Sequence, residues 1–132
     1  PIMMRLQSDL VELCLAAVNG ELANHQTDWD PRPALGVVLA AGGYPDDYHK
    51  GDVISGLNAE FAADTKVFQA GTARNAAGEI VTAGGRVLCV TALGDSVADA
   101  QQAAYAGVRL IDWADCFYRT DIGHRAINRR RN

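Results

Sequence analysis

Apolar positions along this chain keep two rhythms. Leu6, Leu10, Leu13 and Ala17 recur at helical spacing, and Cys14 and Val18 widen the stripe, so residues 8–22 are expected to form an amphipathic helix. Ser8 or Asp9 can cap its start, with Glu12 placed to answer Asp9, and Gly20 marks its end. From Leu35 the rhythm changes. Leu35-Gly36-Val37-Val38-Leu39-Ala40-Ala41 is a short, continuous apolar run closed by glycines, which predicts a buried strand. Residues 52–57 predict a short strand and turn. Lys66 to Thr72 and Glu79 to Thr82 alternate on either side of a glycine-bearing turn at 75–78, a hairpin pattern. Arg86 to Leu93, almost continuously apolar, is a strong candidate for a central strand. Helical spacing returns at Val97, Ala100, Ala104, Val108 and Ile111, behind the capping signal Ser96-x-x-Asp99. That face is narrow and made mostly of small residues, which lets a helix lie close on a sheet. Phe117-Tyr118-Arg119 predicts one more short strand, and 123–130 a final helical turn.

The order is helix, polar stretch, hairpin-linked strands, helix, strand. It predicts an α+β domain with a mostly antiparallel sheet and one packed helix, not a doubly wound fold. The stretch from 23 to 34 is polar and carries Pro31 and Pro33, as a linker or boundary does. Trp29 and Trp113 are expected as packing anchors, since aromatic area dominates small cores.

Composition narrows the class. At 132 residues the chain fits one domain, or one domain with an appended element, and 48% hydrophobic residues is too many for a disordered chain. No apolar run approaches the roughly 20 residues of a membrane span, and Pro1-Ile2-Met3-Met4-Arg5 does not read as a signal peptide. The three cysteines are scattered without metal-type spacing, which fits a cytoplasmic protein; Cys14 and Cys89 lie in apolar patterns and are expected to be buried. The net charge of −4 argues against general nucleic-acid binding. Arg125, Arg129, Arg130 and Arg131 make the C-terminus locally basic, the last three as a frayed, solvated tail. A first residue of proline with a long helix close behind is expected of a chain cut from a larger protein.

Two stretches carry candidate chemistry. In the first, Gly42-Gly43-Tyr44-Pro45-Asp46-Asp47-Tyr48-His49-Lys50-Gly51, consecutive glycines can aim backbone N–H groups at an anion, and Lys50 can add a charge. It lacks the phosphate-loop spacing of two glycines, lysine and a hydroxyl residue, and Asp46 and Asp47 oppose a phosphate, so taken alone the stretch reads first as a decorated turn. In the second, Arg119 and Arg125 flank Asp121-Ile122-Gly123. Arginine grips phosphate through paired planar hydrogen bonds, and Asp121 can hold one guanidinium while the other faces a ligand. A structural Arg–Asp pair on a turn is the alternative. His25, His49 and His124 share no metal-ligand spacing, and Asp28, Asp30, Asp112 and Asp115 read as solvated or capping loop residues.

In combination four segments resemble a known family. Pro1-Ile2-Met3-Met4-Arg5-Leu6-Gln7-Ser8-Asp9-Leu10, Gly36 to Pro45, Gly84 to Gly94 and Arg119 to Ala126 stand in the order and spacing of the C-terminal part of the glycinamide ribonucleotide synthetases, or phosphoribosylamine–glycine ligases. The resemblance implies an ATP-grasp ligase of purine synthesis. ATP, with magnesium, phosphorylates the carboxylate of glycine, and 5-phosphoribosylamine attacks the acyl phosphate. It implies that residues 1–24 end the ATP-grasp core, 25–33 link, and 34–132 form the C-terminal domain that closes over the active site. It further implies that Arg119 and Arg125 meet the ribosyl phosphate, with Asp121 and Gly123 shaping their turn, and that Gly42, Gly43, Tyr44 and Pro45 face the cleft. The ATP and magnesium sites would lie in the remainder of the enzyme, leaving this part inactive alone. Gln7 departs from a common lysine and Asp46 from a common glycine. A non-catalytic packing or oligomerisation module sharing the fold is the rival reading.

Overall fold

The computed structural model describes residues 1–129. Its elements run α1 (Ile2–Arg5), α2 (Leu10–Val18), a 3-10 turn (Leu22–Asn24), β1 (Ala34–Ala40), β2 (Thr65–Gln69), β3 (Thr72–Arg74), β4 (Ile80–Thr82), β5 (Arg86–Leu93), α3 (Val97–Val108), β6 (Phe117–Tyr118) and α4 (His124–Ile127). Arg130 and Arg131, expected as part of a basic tail, lie outside the described residues.

The apolar runs at 34–40 and 86–93 form the two central strands of a four-stranded sheet in the order β2-β5-β1-β6, with every pairing antiparallel. The fold is α+β, as the order of elements predicts. Alternation assigns the sheet's faces. Leu35, Val37, Leu39, Leu88, Val90 and Ala92 point to the face covered by α3 and form the core. On the helix, Ala100, Ala104 and Val108 are fully buried, so the small-residue face meets the sheet. Ser96 and Asp99 make the reciprocal capping box that starts α3.

The register breaks once. Leu39 faces Leu88, but Ala40 faces Arg86, so Val87 is an extra residue in β5. Val87 and Leu88 both turn into the core as a result, and Arg86 is carried to the opposite face beside Ala40.

Four expectations need correction. The alternating segment 66–72 is not the hairpin partner of 79–82: β2 stops at Gln69 and pairs with β5, while β3 and β4 form a separate two-stranded ribbon. Residues 52–57 form no strand and contribute only bridges at Val53 and Ser55. In α2, Asp9 caps the helix by accepting from the N–H groups of Val11 and Glu12, yet only Ala16 is buried. Val11 and Val18 are 66% and 86% exposed and Cys14 is exposed, because no element among the described residues lies over that side. Trp113 joins the core, but Trp29 is 42% exposed, its indole N–H donating to Thr27 Oγ1 at 2.9 Å.

The polar stretch before β1 runs back along the N-terminus. Gln7 N–H donates to Asp28 O at 2.9 Å, and Asp30 N–H to Arg5 O at 2.7 Å. Arg32 then grips Asp30 and Asp64, each at 2.8 Å. Asp30, expected to be solvated or capping, is only 8% exposed, and the Arg32 guanidinium holds its carboxyl below the usual carboxylate range.

Two outcomes are expected. Ala104→Leu forces a larger side chain between α3 and the sheet and should lower urea-unfolding stability by about 1–3 kcal/mol. Cys14 should react first with a thiol reagent at pH 8, mapped by peptide mass spectrometry. Cys116 should resist, because burial and then the Asp112 carboxylate push its thiol up to about 11.

Candidate functional site

The face of the sheet away from α3 carries Gly36, Val38 and Ala40 of β1. Two segments rise at its edges. The first is the bend after β1. Ala41 N–H donates to Gly85 O at 2.8 Å, Tyr44 N–H to Ala41 O at 3.1 Å and Asp46 N–H to Gly43 O at 3.0 Å. Gly43 sits at φ +89°, a left-handed conformation that glycine adopts without strain, and the Tyr44–Pro45 peptide is cis. Tyr44 lies over Gly85 so closely that a Cβ there would collide with its ring. It also meets Tyr48 edge-on, with centroids 6.1 Å apart, and Lys50 Nζ stands 5.5 Å from the Tyr48 ring centre.

The second segment follows β6. Arg119 Nε and Nη2 donate to the two carboxylate oxygens of Asp121 at 2.9 and 2.7 Å, a fork-on-fork pair. The pair raises the Arg119 pKa and lowers that of Asp121, in both cases chiefly through these hydrogen bonds. Helix α3 pins the turn. Tyr105 Oη donates to Arg119 O at 2.6 Å and accepts from Ile122 N–H at 3.1 Å, while Gln101 Nε2 donates to Ile122 O at 2.6 Å. Gly123, at φ +87°, opens α4, and His124 Nδ1 lies 2.7 Å from Asp121 O.

Between the two segments lies a groove of about 300 Å³. Its floor is Gly36, Val38 and Ala40; Phe117, Tyr118 and Ile122 wall one side, Tyr44 stands on the other, and among the described residues Arg86 and Arg119 supply its only charges. The structure therefore brings Tyr44 and Arg119 together. Arg125 lines an adjoining depression with Asp121, Gly123 and His124, and Arg119 borders both. Gly42, Gly43 and Pro45 build the bend without lining the groove; Gly42 packs against Asp115. Arg86 belongs to this site and was not singled out from the sequence. Its signal there is weak, because strict alternation back from Leu88 would turn its side chain to the core. Among the described residues no group of three or more His, Cys, Asp or Glu side chains is placed to hold a metal ion, and no helix is long and apolar enough to cross a membrane.

Residues 34–125 match the family described as phosphoribosylglycinamide synthetase, C domain. The chain is 64% identical over 132 residues to a phosphoribosylamine–glycine ligase of Allochromatium vinosum, covering 100% of this chain and 31% of that protein. It is 59% identical over 132 residues to the enzyme of that name from Escherichia coli K12, again 100% of this chain and 31% of the relative. A crystal structure of phosphoribosylamine–glycine ligase from Thermotoga maritima superposes with a TM-score of 0.64 at 34% identity, over 84% of this chain and 27% of that one. The chain thus spans about three-tenths of the length of these curated relatives, at their C-terminal end.

The Asp121 carboxyl should titrate in carbon-detected NMR below the ordinary value of about 3.9, and Arg119→Ala should return it toward that value. The sign follows from the depressed pKa. The pair steadies the turn at neutral pH, and the contribution disappears as acid protonates Asp121, not in alkali.

Proposed function

The chain belongs to the phosphoribosylglycinamide synthetase C-domain family, and on that premise we propose that it works as the C-terminal part of a phosphoribosylamine–glycine ligase. In this reading the intact enzyme joins glycine to 5-phosphoribosylamine at the expense of ATP, with residues 1–24 ending its ATP-grasp core, 25–33 linking, and 34–132 forming the domain that closes the site. The observation that carries the reading is Arg119, fork-held by Asp121 at the rim of an apolar groove beneath Tyr44. A guanidinium fixed in this way is pre-organised for a phosphate oxygen and loses little freedom on binding. Arg125, six residues further on, lines the adjoining depression that Arg119 also borders.

The work assigned to this part is binding and enclosure. Arg119 and Arg125 hold the ribosyl phosphate, Asp121 and Gly123 set their turn, and Gly42, Gly43, Tyr44 and Pro45 shape the opposite lip. Holding the amine and excluding water favours its attack on an activated carboxylate over hydrolysis of that carboxylate. We assign ATP and its metal to the rest of the enzyme, and no chemical step is assigned here. The exposed apolar side chains Val11, Leu15 and Val18 of α2 support a neighbouring core, since such a stripe seeks cover.

In the intact ligase carrying this sequence, Arg119→Ala or Arg125→Ala should raise the KM for phosphoribosylamine about tenfold or more while leaving the KM for ATP unchanged, as expected for loss of a charged hydrogen bond. An unaltered KM rejects the assignment. The 132-residue chain alone should release no ADP in a coupled assay with glycine and phosphoribosylamine; turnover would overthrow the division of labour.

A further inference from the structure

We propose that Tyr105 of α3 is a positioning residue for the Arg119–Asp121 fork: its hydroxyl stands between Arg119 and Ile122 where a backbone hydrogen bond would close the turn, and so sets how the fork meets a ligand. The placement is independent of the ligase reading above; the consequence for phosphoribosylamine rests on it.

A four-residue turn commonly closes with its first C=O accepting from its fourth N–H. Among the described residues Arg119 O and Ile122 N–H make no such bond to each other. Both turn to one oxygen instead. Tyr105 Oη donates to Arg119 O at 2.6 Å and accepts from Ile122 N–H at 3.1 Å. A phenol suits this place because it offers a donor and acceptor lone pairs on a single atom. The turn is thus held open by one hydroxyl that the helix supplies.

Both ends of the turn are fixed from outside it. Gln101 and Tyr105, four residues apart, share one flank of α3 beside the buried face of Ala100, Ala104 and Val108. Gln101 takes Ile122 O at 2.6 Å, so α3 holds the C=O as well as the N–H of Ile122. Gly123 follows at φ +87°, packed so closely on β1 that a Cβ there would lie 2.5 Å from Leu35 Cδ1. Only Thr120 and Asp121 lie between the held carbonyl of Arg119 and the held amide of Ile122. Asp121 supplies the carboxylate of the fork, so its reach toward the Arg119 guanidinium is set by those two anchor points.

Tyr105 lines neither the groove nor the adjoining depression, so it acts through the residues that do. Its ring tilts against that of Tyr118, with centroids 6.3 Å apart, while its hydroxyl serves the Arg119 turn. The two contacts are separable. Loss of the hydroxyl alone keeps the ring packing and leaves Arg119 O and Ile122 N–H to bond each other or to meet water. Either outcome changes the width of the turn and with it the fit of Asp121 to Arg119. A guanidinium that must search for its geometry loses more freedom when a ligand binds.

The test compares the parent with Tyr105→Phe, which removes one oxygen and keeps the ring. In the 132-residue chain the Asp121 carboxyl reports the fork, since its hydrogen bonds from Arg119 are the chief cause that holds it below the usual carboxylate range. Carbon-detected NMR should find its titration moved toward the ordinary value in Tyr105→Phe. In the intact ligase carrying this sequence, Tyr105→Phe should raise the KM for phosphoribosylamine about threefold to tenfold, with kcat and the KM for ATP within about twofold of the parent. An Asp121 titration that coincides with the parent's overturns the proposal, whatever urea unfolding shows, because a loss of stability alone marks a merely structural tie. An unaltered phosphoribosylamine KM in Tyr105→Phe, where Arg119→Ala raises it, also overturns the proposal and leaves the ligase reading standing. If Arg119→Ala leaves that KM unaltered too, the ligase reading fails, and the Asp121 titration alone judges Tyr105.

Discussion

The antiparallel pairing of β1 with β5 divides the molecule. One side of that ladder is apolar and closed by α3; the other is covered in part by α1 and carries the groove. Val37, Leu39 and Val90 are fully buried on the closed side, each worth about 1.5–3 kcal/mol of burial. The helix can approach because it meets them with Ala100 and Ala104, and this close contact fixes the height of everything α3 carries. Tyr105 and Gln101, on the same helix, reach over the sheet's edge and hold the backbone of the Arg119 turn. Packing on one face thus sets the position of a charged group bordering the other.

The open face is made by subtraction. Gly36 and Ala40 leave a shallow floor, Gly85 leaves room for the Tyr44 ring, and the walls come from a bend and a two-residue strand. Few of these residues are polar. The site's character comes from two arginines at its margins, one of them held by Asp121. An arrangement of this kind favours an anion attached to an apolar body over a bare ion.

The parts read correctly from the sequence are those where several local signals agree. Arg86 to Leu93 is apolar enough to admit only a central strand, and Ser96 with Asp99 announces the start of α3 while its small residues announce which side is buried. The parts read wrongly are those decided by a neighbour. An amphipathic stripe says that Leu10 and Val18 want cover but not what supplies it, and among the described residues nothing does. Cys14 shares that side of α2 and is exposed for the same reason. Trp29 sits on an isolated bridge to Leu6, outside the core. Arg86 illustrates a different limit: a count of alternating positions fails wherever one residue is inserted, and nothing in the letters Gly-Gly-Arg-Val-Leu marks the bulge. For the candidate site, the Arg119–Asp121 fork was legible from spacing, whereas its place between Arg125's depression and the groove that Tyr44 lines depends on the sheet.

Arg32 joins stretches of chain that sequence reading separates. One edge of its guanidinium holds Asp30, which is stitched to Arg5, and the other holds Asp64, next to the start of β2. The stretch that follows α1 and α2 is therefore fastened to the sheet twice, by its own chain into β1 and by Arg32 to Asp64 beside β2. A substitution at Arg32 would therefore release two carboxylates at once, one on the stretch that precedes β1 and one beside β2.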